Sequence, residues 1–150
     1  MKICYATTWK AACGISTYSS YLINEIKKNN EVMVLAEDRG VSGKDDTQIV
    51  NVPYIECWSR HKGFDGMISH IKEFNPDIIH YQHEFGLFGL SPPFMHKFIE
   101  TCKKISVPKV ITYHSIPLAS PEFFLPYFRN SDNLFRKKII HSETGLAAAT

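Results

Sequence analysis

Three short stretches of this chain hold residues able to bind or react: Cys13-Gly14-Ile15-Ser16-Thr17-Tyr18, Gln82-His83-Glu84-Phe85-Gly86-Leu87-Phe88-Gly89, and His114-Ser115-Ile116-Pro117. In the first, Gly14 stands where a helical pattern begins. A residue without Cβ lets the backbone approach a phosphate, and the unpaired N–H groups of a helix's first turn offer a positive dipole end. Neither G-x-G-x-x-G nor G-x-x-x-x-G-K-[ST] occurs, so the residues alone leave Gly14 readable as a phosphate-facing glycine or as a turn glycine.

The second stretch is a cluster of polar and glycine residues directly after an apolar strand, a place where polar groups usually face a ligand. His83 and Glu84 either face such a ligand or cap and pair within the loop, while Phe85 and Phe88 read as core anchors. His80 and His83 form H-x-x-H, but on a strand these positions point to opposite faces. With no H-E-x-x-H in the chain, no metal site is expected. In the third stretch His114 ends an apolar strand, where an imidazole can donate a hydrogen bond to a hydroxyl or a phosphate near neutral pH. A histidine bonded to backbone is the structural alternative. His61, His70, His96 and His141 read as surface or helix-face residues.

The elements that must hold these stretches alternate. Apolar β-rich runs at 3–6, 31–36, 49–52, 78–81 and 110–113 predict strands. Between them, Ile15, Tyr18, Leu22 and Ile26 recur at helical spacing, as do Phe64, Met67, Ile68, Ile71 and Phe74, and then Phe94, Phe98, Ile99, Cys102 and Ile105. Asn75-Pro76-Asp77 ends the second helix, because a residue before proline avoids the α region. Strand-helix-strand alternation predicts an α/β fold: a Rossmann-like three-layer domain with a mostly parallel sheet, since parallel strands need crossover helices. In such sheets ligands sit outside the carboxyl ends of the strands, where all three stretches fall. A last helix over 131–140, turning into a strand toward Ser142, is followed by Ala147-Ala148-Ala149-Thr150 with no closing helix, which reads as truncation.

A chain of 150 residues is one domain's worth and can bury roughly 70% of its unfolded surface. With 44% apolar and 21% charged residues it is not a disordered sequence. Seventeen basic and fifteen acidic residues leave a formal charge of +2, the basic ones scattered in pairs such as Lys27-Lys28 and Lys137-Lys138, so a nucleic-acid partner is not expected. Cys4, Cys13, Cys57 and Cys102 form no C-x-x-C, which suggests neither zinc nor a disulfide framework and fits a reducing compartment. The apolar start after Met1-Lys2 is too short for a signal peptide, and no apolar run reaches membrane-span length. A cytoplasmic location is expected. Peripheral membrane contact remains open through residues 117–128, where Leu118, Phe123, Phe124, Leu125, Tyr127 and Phe128 crowd a stretch holding Pro117, Pro121 and Pro126. These rings either cover the core or form an interaction surface beside Arg129.

Taken together, the motifs resemble the N-terminal domain of the GT-B glycosyltransferases, specifically the retaining family 4. Cys13 to Tyr18 is similar to that family's glycine-containing first loop and helix. The run from Pro76 through Gln82-His83-Glu84-Phe85-Gly86-Leu87-Phe88-Gly89 is similar to a bacterial subgroup's Q-H-E-F-G-[IL]-F-G segment, and Pro108 to His114 resembles its P-x-V-x-T-x-H strand. The match covers essentially the whole chain, in order. It implies that Gly14 and Ile15 approach the diphosphate of a nucleotide-sugar donor (UDP- or GDP-sugar), that His114 is the catalytic residue beside the transferred sugar, and that His83, Glu84, Phe85 and Gly86 shape the acceptor side. No metal or other cofactor is implied. Many members carry two adjacent glycines in the first loop, whereas here the first of the pair is Cys13. The family's E-x7-E carboxylate pair and cationic donor residues belong to a C-terminal donor-binding domain, and no such glutamate pair occurs here.

The expectation is therefore the acceptor-binding half of a retaining, metal-independent glycosyltransferase, inactive alone, whose partners are the donor-binding domain, a nucleotide sugar and a sugar or lipid-linked acceptor. Its rivals are a non-catalytic sugar- or nucleotide-binding module, one subunit of a split two-chain transferase, and an unrelated flavodoxin-like module.

Overall fold

The computed structural model describes residues 1–40, 50–88 and 92–115. Within them the order is β1 (Lys2–Thr7), α1 (Gly14–Ile26), β2 (Glu31–Glu37), β3 (Tyr54–Trp58), α2 (Gly66–Phe74), β4 (Ile78–His83), α3 (Phe85–Phe88), α4 (Pro92–Lys104) and β5 (Lys109–Tyr113). All four strand pairings are parallel, and the strands lie side by side as β3-β2-β1-β4-β5. This is the Rossmann order. A flavodoxin-like sheet would run 2-1-3-4-5, so topology removes that rival.

Side chains leave alternate faces of each strand, and both faces are covered. On one, Tyr5, Val32, Val34 and Ala36 are buried with Ile23 of α1. On the other, Cys4, Ala6, Leu35, Ile79, Tyr81 and Ile111 meet Met67 and Ile71 of α2 and Phe98 and Cys102 of α4. These are the three layers read from the alternation.

Two expectations shift. The third strand, expected at 49–52, forms at Tyr54–Trp58 instead. Pro53 has no N–H for a ladder, and its carbonyl accepts from Val34 N at 2.9 Å just before the strand begins. Val50 and Val52 still pack against the core beside Ile23. Trp58, 1% exposed, anchors the new strand, its Nε1 donating to Leu35 O at 2.8 Å.

The second shift concerns how apolar the inward side of α1 is. Ile15, Leu22 and Ile26 of the apolar spacing are half-buried against the core, but the fully buried residues are Ser16, Ser19, Ser20 and Ile23. The sheet below is polar there: Thr7 Oγ1 bonds Ser19 Oγ at 2.7 Å. Small hydroxylated residues suit that surface, and Tyr18 is left 40% exposed.

α2 ends as the sequence requires. Asn75 adopts the left-handed conformation (φ 50°) and donates its N–H to Ile71 O, and Pro76 follows. The segments 117–128 and 131–140 lie outside the described residues.

Candidate functional site

In the strand order, β1 has β2 on one side and β4 on the other, so the connections after β1 and β4 leave the sheet edge in divergent directions. The crevice between them is where such folds take ligands. Around it lie the start of α1, the β4–α3 turn and the end of β5, which are the three stretches singled out by residue type.

The first loop turns tightly, with Cys13 N donating to Ala11 O at 2.7 Å and Ala11 N to Ser16 Oγ at 3.1 Å. Lys10 takes a left-handed φ of 48° and carries its ammonium 5.2 Å above the Tyr54 ring. Cys13 occupies the N-cap of α1 in extended conformation, but no side chain caps the helix. Its thiol instead meets Thr8 Oγ1 at 3.2 Å. Gly14 is exposed, and a Cβ there would meet nothing within 4 Å. Among the described residues no contact requires glycine at this position. Ile15 packs its side chain against the core, which leaves only its backbone for a ligand.

From the α1 side of β4 and β5 rises a chain of hydrogen bonds. Tyr5 Oη lies 2.9 Å from His80 Nδ1, His80 Nε2 lies 2.7 Å from Thr112 Oγ1 and 3.1 Å from Gln82 Nε2, and Gln82 Oε1 lies 2.8 Å from His114 Nε2. Pairing of Tyr5 with His80 across β1 and β4, and of Gln82 with Thr112 across β4 and β5, sets these groups side by side. His114 continues the ladder through its N–H to His83 O at 2.9 Å. Tyr18 meets the His114 ring edge-on at 5.0 Å between centroids, which joins the first stretch to the third.

The residues expected on the acceptor side divide. His83 is 2% exposed and lies in the opposite, apolar layer, stacked on Phe88 at 5.0 Å with an interplanar angle of 10°. Its side chain therefore does not line the crevice. Phe88 joins Trp58, Phe64 and Phe98 at 4.6 to 5.6 Å, and this aromatic cluster clamps α3 onto the core. Phe85 is half-buried, its ring edge-on to His83 at 5.2 Å. Gly86 is exposed and holds Arg60 Nη1 through its carbonyl at 3.2 Å. The Glu84 carbonyl accepts from the N–H groups of Leu87 and Phe88, both at 3.0 Å, and its carboxylate lies over Gly86, where a Cβ would collide with Oε2.

Burial governs the histidines. Removal from water pushes His80 and His83 down to about 4, and the nearby His114 ring adds to the effect in both. His114 is also lowered by burial, an effect the Glu84 carboxylate partly offsets. At neutral pH the site is thus a set of uncharged imidazoles. His80 and His83 leave opposite faces of β4 and cannot share an ion.

No protein-family model matches the chain. Over 117 residues, 73% of the chain, it is 25% identical to the alpha-monoglucosyldiacylglycerol synthase of Streptococcus pneumoniae (strain ATCC BAA-255 / R6). The matched part covers 25% of that relative's length. This is a distant relationship to a glycosyltransferase.

Sequence reasoning gave Tyr5, Tyr18, His80, Gln82 and Thr112 no individual role in this site, although Tyr18 and Gln82 stand within the stretches it singled out. The signal was present in the period-2 alternation of strands, which places His80 with Gln82 on one face of β4 and Thr112 with His114 on one face of β5. Tyr18 was hidden because a tyrosine at helical spacing reads as core.

Proposed function

We propose that this chain is the acceptor-binding half of a retaining, metal-independent glycosyltransferase of family 4 type. The observation that carries the reading is the meeting of an uncapped, glycine-started helix with His114, through Tyr18, at the sheet's switch point. The helix N-terminus suits a phosphate and the imidazole suits a sugar hydroxyl. In the reaction the C1–O bond of a UDP- or GDP-sugar breaks, the nucleoside diphosphate leaves with the bonding electrons, and an acceptor oxygen bonds C1 and gives up its proton. Cationic groups that stabilise the departing diphosphate would come from a C-terminal donor-binding domain, so the chain alone is inactive. The relative is by name a synthase of alpha-monoglucosyldiacylglycerol, which favours a lipid-linked acceptor, reached by peripheral contact with the inner face of a cell membrane from a cytoplasmic location.

The test is product analysis by mass spectrometry. The polypeptide joining this chain to its donor-binding domain is incubated with a panel of UDP- and GDP-sugars and vesicles containing diacylglycerol. A lipid glycoside from the joined polypeptide, and none from the isolated chain, is expected. Turnover by the isolated chain would contradict the two-domain reading, and absence of any glycoside would contradict the lipid acceptor.

A further inference from the structure

The chain of bonds from Tyr5 to His114 has a direction, and one residue sets it. The hydroxyls of Tyr5 and Thr112 can each donate or accept, and an imidazole can carry its proton on either nitrogen. Only the Gln82 amide has fixed polarity, an accepting oxygen at one end and a donating nitrogen at the other. Its oxygen lies 2.8 Å from Nε2 of His114, so that nitrogen must carry the proton. Its nitrogen lies 3.1 Å from Nε2 of His80, so that nitrogen must be bare, and the His80 proton sits on Nδ1, 2.9 Å from the Tyr5 oxygen. The Thr112 hydroxyl at 2.7 Å then donates to the same bare nitrogen, sharing its single lone pair with the longer amide contact.

The amide is 0% exposed, and turning it over would set donor against donor at His114 and acceptor against acceptor at His80 unless both rings moved their protons together. The two histidines are therefore coupled through one side chain. Because its Nε2–H is spent on Gln82, His114 offers a ligand only Nδ1, and among the described residues nothing bonds that atom. A bare ring nitrogen accepts a hydrogen bond. It suits a hydroxyl, which can donate, and not the oxygen of a phosphate, which cannot. The sequence allowed either partner for His114, as a donor.

We propose that Gln82 is a positioning residue whose amide holds His80 and His114 in opposite tautomers and presents Nδ1 of His114 as acceptor for a sugar hydroxyl. The sugar rests on the function proposed above, whereas the tautomers do not. The edge-on Tyr18 ring supports the same orientation from α1.

Two-bond proton–nitrogen correlation spectra of the 15N-labelled chain at pH 7.5 read both rings. The expected result is protonation of His114 on Nε2 and of His80 on Nδ1. The reverse pair, or one tautomer in both rings, would overturn the proposal. In Gln82→Met, of similar length but without polarity, the nitrogen shifts of both rings should move toward a mixture of tautomers. Unchanged shifts would overturn the coupling. Should that variant not fold, Gln82→Glu keeps the length and the acceptor: His114 should retain Nε2–H and titrate at higher pH, and an unmoved His114 titration would count against the contact.

In the transfer assay Gln82→Met should lower kcat/KM at least tenfold, with Gln82→Glu recovering part of the loss. Opposite tautomers without transfer from any nucleotide sugar would remove the function and leave the role of Gln82 intact. Transfer with matching tautomers would remove the role of Gln82 alone.

Discussion

Tyr18 on the second turn of α1 holds the ring of His114 at the end of β5 edge-on, at 5.0 Å and 82°. The two residues belong to elements that are not neighbours in the chain, and their contact closes the crevice opened by the strand order. Edge-to-face ring pairs contribute about 0.5–1.5 kcal/mol beyond their buried area.

Removal of that ring should loosen His114. We expect Tyr18→Ala to reduce sugar transfer by roughly 3- to 10-fold, the kinetic equivalent of such an energy, while Tyr18→Phe stays close to wild type. Equal losses in both variants would mean that the Tyr18 hydroxyl, and not the ring contact, matters.

The two histidines held neutral make the fold sensitive to acid. In the folded chain His80 and His83 are pushed down to about 4 from the ordinary 6.5, so between these values the unfolded chain binds more protons. Stability from this source is intact above pH 6.5 and is lost as the pH falls toward 4, by up to about 3 kcal/mol per histidine. Urea unfolding at pH 7.5 and pH 5 should show a clearly lower midpoint at pH 5. His83→Phe replaces a ring whose buried Nδ1 has no hydrogen-bond partner among the described residues. It should keep the neutral-pH midpoint and flatten the acid loss, and a large destabilisation at pH 7.5 would show that His83 does more than fill the core.

Gly14 separates fold from function. A Cβ there meets open space, so Gly14→Ala should leave the melting temperature unchanged or higher, alanine being favoured over glycine in a helix by up to about 1 kcal/mol. In the joined polypeptide Gly14→Val should abolish transfer with the fold retained. Full activity of a folded Gly14→Val protein would reduce Gly14 to a turn residue.

Gly66 behaves in the opposite way. It opens α2 against β3, and a Cβ would press into the carbonyl oxygen of Cys57. Backbone atoms cannot yield as a flexible side chain can, so Gly66→Ala should cost about 1–3 kcal/mol and lower the melting temperature by several degrees. An unchanged melting temperature would refute this close approach of α2 to β3.

The alternation of elements was legible because each helix and strand carries its own period and its own breakers, as Asn75-Pro76 shows. The register of the third strand was not, since nothing in Val50-Asn51-Val52 alone distinguishes a strand from a lead-in, and Trp58 decides the matter only through burial. At the site, Gly14 stood out by residue type at a helix start and His114 at a strand end. The surroundings of His83 were not legible, because a histidine beside Glu84 reads as polar, whereas alternation from Tyr81 turns it into the aromatic layer. Gln82 escaped because its importance lies in bridging two rings from different strands, a relation that spacing within one strand does not express.

The most direct measurement is the rate of sugar transfer by the joined polypeptide carrying His114→Ala, beside wild type and with the melting temperatures of both. We predict that transfer falls by two or more orders of magnitude, roughly what one positioned acid–base or hydrogen-bonding group supplies, while the melting temperature changes by only a few degrees. Wild-type transfer by a folded His114→Ala protein would contradict the account.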